Sequence, residues 1–187
     1  WAVCLGTRNF DYPPRNNLGR ETRLVPVDWS GDWPVFGDHG KVHEIIETDK
    51  LPGRGSDNLD TSMVFRDDFS GDTLGFAWNF IYNPQPGLAE LAHPGLLLHG
   101  NEKARKDPEL LAWVGRRQQH HECSAQVTLR FPCLRDGEEA GITRFTNNRH
   151  HYDLALCHMD GKRKLIFRRQ LGTLIHTEPI LDHAGDT

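Results

Sequence analysis

The stretch "YDLALCHMDGKRKLIFRR", residues 152–169, constrains the fold of this chain more than any other. An Asp-Gly pair between two apolar runs is a preferred two-residue hairpin connection, because both turn residues must take positive φ. With the turn at Asp160-Gly161, Tyr152, Leu154 and Leu156 share one face by the two-residue period of a strand. Leu165 and Phe167 answer them from the opposing strand, since the turn sets the register. A sequence that carries this hairpin is committed to antiparallel sheet there.

Similar short apolar runs recur at fairly even spacing: "MVFRDDF", "FAWNFIY", "GLLLHG", "LAWVGRRQ", "CSAQVTLRF" and "AGITRF". Turn-forming clusters such as "SGD", "NPQPG", "RDGEE" and "NNR" separate them. That pattern predicts an all-β sandwich or barrel from about residue 64 onward. Residues 1–36 alternate strand and turn, with "WAVCLGTR", "ETRLVPVDW" and "WPVF" as strands, but offer too few strands to close a core. Residues 37–63 read as a polar linker rich in Gly and Asp, in which only "VHEII" could pack on anything. "NEKARKDPELLAW" could hold one helical turn, but Pro108 favours a loop. "PILDHAGDT" shows no closing strand, and "WAVCLG" opens in what looks like mid-strand, so a fragment is expected at both ends.

A net charge of −4 lacks the basic stripe of a nucleic-acid binder. No run approaches the ~18 apolar residues of a membrane span. The four cysteines form no CxxC pair and are expected to be buried free thiols. The histidine pairs His120-His121 and His150-His151 place neighbours on opposite faces of a strand, so neither pair chelates one ion from a strand. Asp67, Asp68 and Asp72 offer oxygen ligands to a structural calcium ion, or simply form a charged turn; their spacing fits no dedicated calcium loop. The carboxylates of "DGEE", Asp136 to Glu139, are crowded into one turn, which does not set two carboxyl groups across a pocket for acid/base work.

"NNLGRET", residues 16–22, is the remaining polar feature. Gly19 allows a sharp backbone turn before the strand. Arg20 then stands at the strand mouth, where its guanidinium could fork onto a ligand or form a surface ion pair with Glu21.

Taken in order, "WAVCLGTR", "NNLGRET", "VPVDWSGDWPVF", "FRDDF", "FAWNF", "VGRRQQH", "GEEAGITRF" and "HHYDLAL" resemble the C-terminal part of a glycoside hydrolase family 43 enzyme of the β-xylosidase / α-L-arabinofuranosidase type. The resemblance implies an all-β chain: the last strands of a five-bladed catalytic β-propeller (residues 1–36), the linker (37–63), and an incomplete concanavalin-like β-sandwich (64–187). It implies inverting hydrolysis of terminal xylose or arabinose. The acid, the base and a third acidic residue come from earlier blades, so no catalytic residue lies within this chain. By the family's motif, Arg20 contacts the sugar and Gly19 shapes its loop. The implied partners are a xylo-oligosaccharide or arabinoside and the missing blades of the same protein, with homo-oligomers possible through the sandwich; no cofactor or metal, nucleic acid or membrane is implied. The compartment is left open. Trp29, Trp33 and Trp78 could stack on sugars or fill sheet corners, and Gly115–Gln119 could face the propeller or be an exposed strand. A non-catalytic carbohydrate-binding or propeller-stabilising module is the rival expectation.

Overall fold

A computed structural model describes residues 1–48, 64–102, 111–132 and 135–182, which carry strands and no α-helix. The chain divides into two compact units, Trp1–Cys123 and Ser124–Thr187.

The first unit is built of two-stranded pieces. β1 (Ala2–Gly6) pairs antiparallel with β2 (Glu21–Val25), from Ala2↔Val25 to Gly6↔Glu21. β3 (Val27–Asp28) pairs with β4 (Val35–Phe36), and β5 (Trp78–Asn79) with β8 (Gly115–Arg116). β6 (Ala89–Leu91) pairs with β7 (Leu96–Leu98). Val25, at 1% exposure, and Leu18 and Leu88 are its buried apolar side chains.

Residues 64–69, expected as strand, form a turn instead. The Asp67 carboxylate accepts the Phe69 amide at 2.8 Å and the Trp78 indole N–H at 2.7 Å; the Asp68 carboxylate accepts the Ser70 amide at 3.0 Å. Side-chain acceptors of this kind compete with a sheet ladder for the backbone donors. Phe65 and Phe69 pack on Trp78, and the Arg116 guanidinium lies 3.4 Å over the Phe65 ring. The run "CSAQVTLRF" likewise holds no strand among its described residues. The helical-turn candidate at 103–110 and most of the linker, 49–63, lie outside the described residues. Within "VHEII", Val42 and Ile45 are exposed, while His43, Glu44 and Ile46 line a cleft with Trp1, Thr22, Arg23 and Leu24.

The second unit is one antiparallel meander in the order β12-β11-β10-β9. Its strands are β9 (Glu139–Asn147), β10 (His150–Met159), β11 (Lys162–Leu171) and β12 (Leu174–Asp182). The β10–β11 turn has φ 56° at Asp160 and 73° at Gly161, and Leu154↔Phe167 and Leu156↔Leu165 face each other as the alternation requires. Burial, however, is deepest on the other face, where Ala155, Cys157 and Ile166 cluster. Gly141 lies opposite Ala155, where an added Cβ would stand 2.1 Å from the Leu154 carbonyl oxygen.

Two expectations are corrected here. "PILD" belongs to β12, which runs to Asp182; Pro179 is tolerated because β12 is an edge strand with a register shift beside it. The cysteines are not uniformly buried: Cys157 is buried, with burial pushing its thiol pKa up, Cys4 is half-buried and Cys123 is exposed. All three are free thiols; Cys133 lies outside the described residues.

Candidate functional site

The polar loop before β2 is organised from within by Asn16. Its side-chain oxygen accepts the amides of Leu18 and Gly19, each at 2.7 Å, and its NH₂ donates to the Gly19 carbonyl at 3.3 Å. Gly19 sits at φ 75°, in the left-handed region that a side chain disfavours. Leu18 tucks inward, and the chain re-emerges with Arg20 exposed immediately ahead of β2.

Arg20 and Glu21 do not pair. Glu21 is instead forked by Arg8, with Nε at 2.8 Å and Nη2 at 2.9 Å, and Arg23 stands 4.0 Å away. Arg8 also reaches Glu44 at 3.7 Å. The hydrogen bonds from Arg8 hold the Glu21 carboxyl below its usual range and raise the Arg8 guanidinium in turn. Neighbours at a strand entrance project to opposite sides, so the carboxylate next in sequence is the wrong partner. Among the described residues, the Arg20 guanidinium makes no hydrogen bond or ion pair.

A segment about a hundred residues away grips this loop. Arg117 Nη2 donates to the Leu18 carbonyl at 3.0 Å and to the Arg20 carbonyl at 2.6 Å. Asn17 donates to the His121 carbonyl at 2.9 Å and accepts from His121 Nδ1–H at 2.8 Å. Because the amide NH₂ is engaged by the carbonyl, its oxygen must accept, which places the imidazole proton on Nδ1. Phe10 packs against the His121 ring at 4.8 Å, and Arg8 donates to the Gln119 carbonyl at 2.5 Å. Within "GRRQQ", Gly115–Arg116 form β8, Arg117 closes onto the Leu18 and Arg20 carbonyls, and the Gln119 carbonyl accepts from Arg8.

The other candidates fall apart as sites. Asp136 goes to His158 at 2.6 Å, Glu138 to Arg135 at 2.8 Å, and Glu139 to Arg168 at 2.6 Å, so the three carboxylates are held by three different side chains. His150 and His151 contact Asn147, and His151 also stands 3.5 Å from Asp153. Among the described residues, no group of three His, Cys, Asp or Glu side chains is placed to hold a metal ion. The Asp67 and Asp68 oxygens named above serve turn amides and the Trp78 indole. Trp78 is packed, whereas Trp29 and Trp33 are 71% and 81% exposed.

Residues 66–181 match the family model of the β-xylosidase C-terminal concanavalin A-like domain of glycoside hydrolase family 43. The chain belongs to that family. It is 36% identical over 176 residues to a non-reducing end α-L-arabinofuranosidase of Bacteroides ovatus, covering 91% of this chain and 32% of the relative. A xylosidase/arabinosidase of Butyrivibrio fibrisolvens is 29% identical over 156 residues, covering 81% of this chain and 29% of that protein. The solved structure of the GH43B enzyme of the Bacteroides ovatus xyloglucan locus superposes with a TM-score of 0.72 at 29% identity, over 95% of this chain and 35% of that one. The chain therefore spans about a third of the length of these relatives. Its all-β architecture is that of a family 43 C-terminal region, propeller strands followed by the concanavalin-like domain.

Within this family 43 chain, the matched span includes Arg117, Gln119 and His121, whereas the loop they hold precedes it. Sequence reasoning singled out Arg20 and Gly19, and Gly115–Gln119 as a segment that could face the propeller, but gave no role to Arg8 or to the Asn17–His121 pair. The only available signal was the cluster of donors in "GRRQQHH", which does not name its acceptors.

Proposed function

We propose that this chain is part of a glycoside hydrolase that removes terminal xylose or arabinose from xylo-oligosaccharides or arabinosides by an inverting acid/base mechanism. The acid and base lie outside residues 1–187, in earlier propeller blades; residues 1–36 close the propeller, 37–63 link, and 64–187 form the concanavalin-like domain. Arg20 is the residue of this chain that touches the sugar.

One observation carries this reading: the Arg20 guanidinium is presented to solvent by a hydrogen-bonded loop while Glu21, its apparent partner, is engaged by Arg8. A permanently charged fork can donate to two adjacent hydroxyls and fix the ring. It cannot take the proton that the catalytic acid must deliver, and it lowers the pKa of a nearby carboxylate, which keeps a base ionised. Contacts that tighten as the oxocarbenium-like transition state forms accelerate the reaction rather than merely binding substrate.

The test is kinetic. In the full-length protein, Arg20→Ala should lower kcat/KM on aryl xylosides or arabinosides by about 100-fold, as expected for loss of charge-assisted hydrogen bonds worth roughly 3 kcal/mol. Near wild-type kinetics would make Arg20 structural. The 187-residue chain alone should show no turnover above a blank.

The exposed Trp29 and Trp33 support a second reading, a non-catalytic carbohydrate-binding module, since bare indole faces stack on sugar rings. Titrating the chain with xylo-oligosaccharides and following tryptophan fluorescence separates the two, because a purely accessory segment leaves the signal unchanged.

A further inference from the structure

We infer that Arg117 is a positioning residue for Arg20: the segment Gly115–His121 fixes the loop that presents the Arg20 guanidinium to the sugar. The inference rests on the reading of Arg20 as the sugar contact.

A long side chain is aimed reproducibly only if its own backbone is fixed, and the Arg20 backbone is held by Arg117 directly. One guanidinium nitrogen takes the carbonyls of Leu18 and Arg20 together, spanning Gly19 between them. Gly19 is the position at which this loop would otherwise be loosest, because a residue without Cβ restricts φ least. Asn16 ties only the amides of Leu18 and Gly19 and the Gly19 carbonyl; it leaves the Arg20 carbonyl to Arg117.

Two further contacts from the same segment bracket the site. The reciprocal Asn17–His121 pair holds the residue before Leu18, and the Gln119 carbonyl holds Arg8, which in turn fixes Glu21 on the other side of Arg20. Arg20 therefore lies between two anchored neighbours, with its own carbonyl as the third point. Arg117 also adds positive charge near Glu21, helping to keep that carboxylate ionised and available to Arg8. The chemistry explains an arginine here. Its planar nitrogen carries two N–H groups in a fixed geometry that meets two carbonyls, whereas the flexible lysine ammonium reaches one of them less reproducibly. Arg117 is exposed, so its removal leaves no buried hole.

The consequence is a division of labour. A segment within the matched concanavalin-like span determines how well a residue ahead of that span meets the sugar. Misplacing a contact of this kind by a fraction of an ångström to an ångström lowers rate without altering chemistry.

The experiment uses the full-length protein, with 4-nitrophenyl β-D-xylopyranoside and 4-nitrophenyl α-L-arabinofuranoside as substrates. Arg20→Ala, Arg117→Ala, Arg117→Lys and the double alanine variant are compared for kcat and KM. Hydrogen exchange of residues 16–22 is followed in each. Arg117→Ala should lower kcat/KM by about 10-fold and speed exchange in the loop, with Arg117→Lys intermediate. The double variant should be no worse than Arg20→Ala within about 2-fold, because a residue acting through Arg20 has nothing left to act on. An impaired Arg20→Ala beside a wild-type Arg117→Ala, or losses that multiply in the double variant, would overturn the positioning role. Wild-type kinetics in Arg20→Ala would overturn the sugar-contact reading beneath it, a separate result. Should Arg117→Ala fold poorly, Arg117→Lys and Asn17→Ala decide, both expected to speed loop exchange and lower kcat/KM; unchanged kinetics in both would overturn the proposal.

Discussion

The β10–β11 hairpin and the Asn16–Arg20 loop are both turns that feed a strand, and they are held by opposite means. The hairpin is fixed by what is local: two residues at positive φ, then ten paired positions from His150↔Leu171 to Met159↔Lys162. The loop has one residue at positive φ, no ladder of its own, and hydrogen-bond partners that arrive from 97 to 104 positions away. The difference has a physical cause. A ladder spreads its stabilisation over many equivalent bonds, so no single residue is decisive. A loop that must present one side chain concentrates its restraint in a few charge-assisted bonds, and those few matter greatly.

Substitutions should therefore divide cleanly: sheet changes should move stability, and loop changes should move kinetics. The largest stability effect is expected at Gly141, where a side chain would meet the Leu154 carbonyl at 2.1 Å and the Ala155 Cα at 2.6 Å. Gly141→Val should cost about 3 kcal/mol, the upper range for forcing bulk into a packed site, and appear as a drop in Tm on thermal unfolding. An unchanged Tm would mean that β9 separates from β10 at little cost, and the sheet would lose its standing as the rigid member of the comparison.

Gly161→Val should come next, at about 1–2 kcal/mol, because a β-branched residue cannot hold φ 73° without strain. The measurement is the same, and the expected companion result is unaltered exchange in residues 16–22.

The smallest effect is expected at the Arg8–Glu21 pair, which is partly exposed and so worth about 1 kcal/mol or less. Its pH dependence has a definite sign. The folded Glu21 carboxyl is held below its ordinary range by Arg8, so the pair contributes stability above that range and loses it as pH falls through the lowered folded value. Arg8→Met should be less stable than wild type near about pH 7, and the gap should close as pH falls through the lowered folded value of Glu21. A gap that stays constant would show that Arg8 acts by packing rather than by charge.

What was readable follows the same divide. The Asp160-Gly161 turn, its register and the face shared by Tyr152, Leu154 and Leu156 were legible, since each depends on residues close in sequence. β12 was not, because Pro179 reads as a strand breaker until its edge position and the neighbouring register shift are known. The turn at residues 64–69 was missed for a similar reason: Asp67 and Asp68 drew the amides of Phe69 and Ser70 away from a ladder in what read as an apolar run. Which face was more deeply buried was equally hidden. Alternation says that two faces differ, whereas the cluster of Ala155, Cys157 and Ile166 shows which one is covered.

At the candidate site, the sequence alone determined that a glycine turn would deliver an arginine to the mouth of a strand, and it carried the motifs by which the family is known. It left the Glu21 pairing open, because the adjacent charge was one candidate and a residue thirteen positions back was not visible as another. Tertiary structure decided that Arg8 takes Glu21, that Arg117 takes the Leu18 and Arg20 carbonyls, and that Arg20 is thereby presented outward. Those outcomes depend on which donors arrive within 3 Å of which acceptors, and chain closure over a hundred residues, rather than composition or spacing, sets that distance.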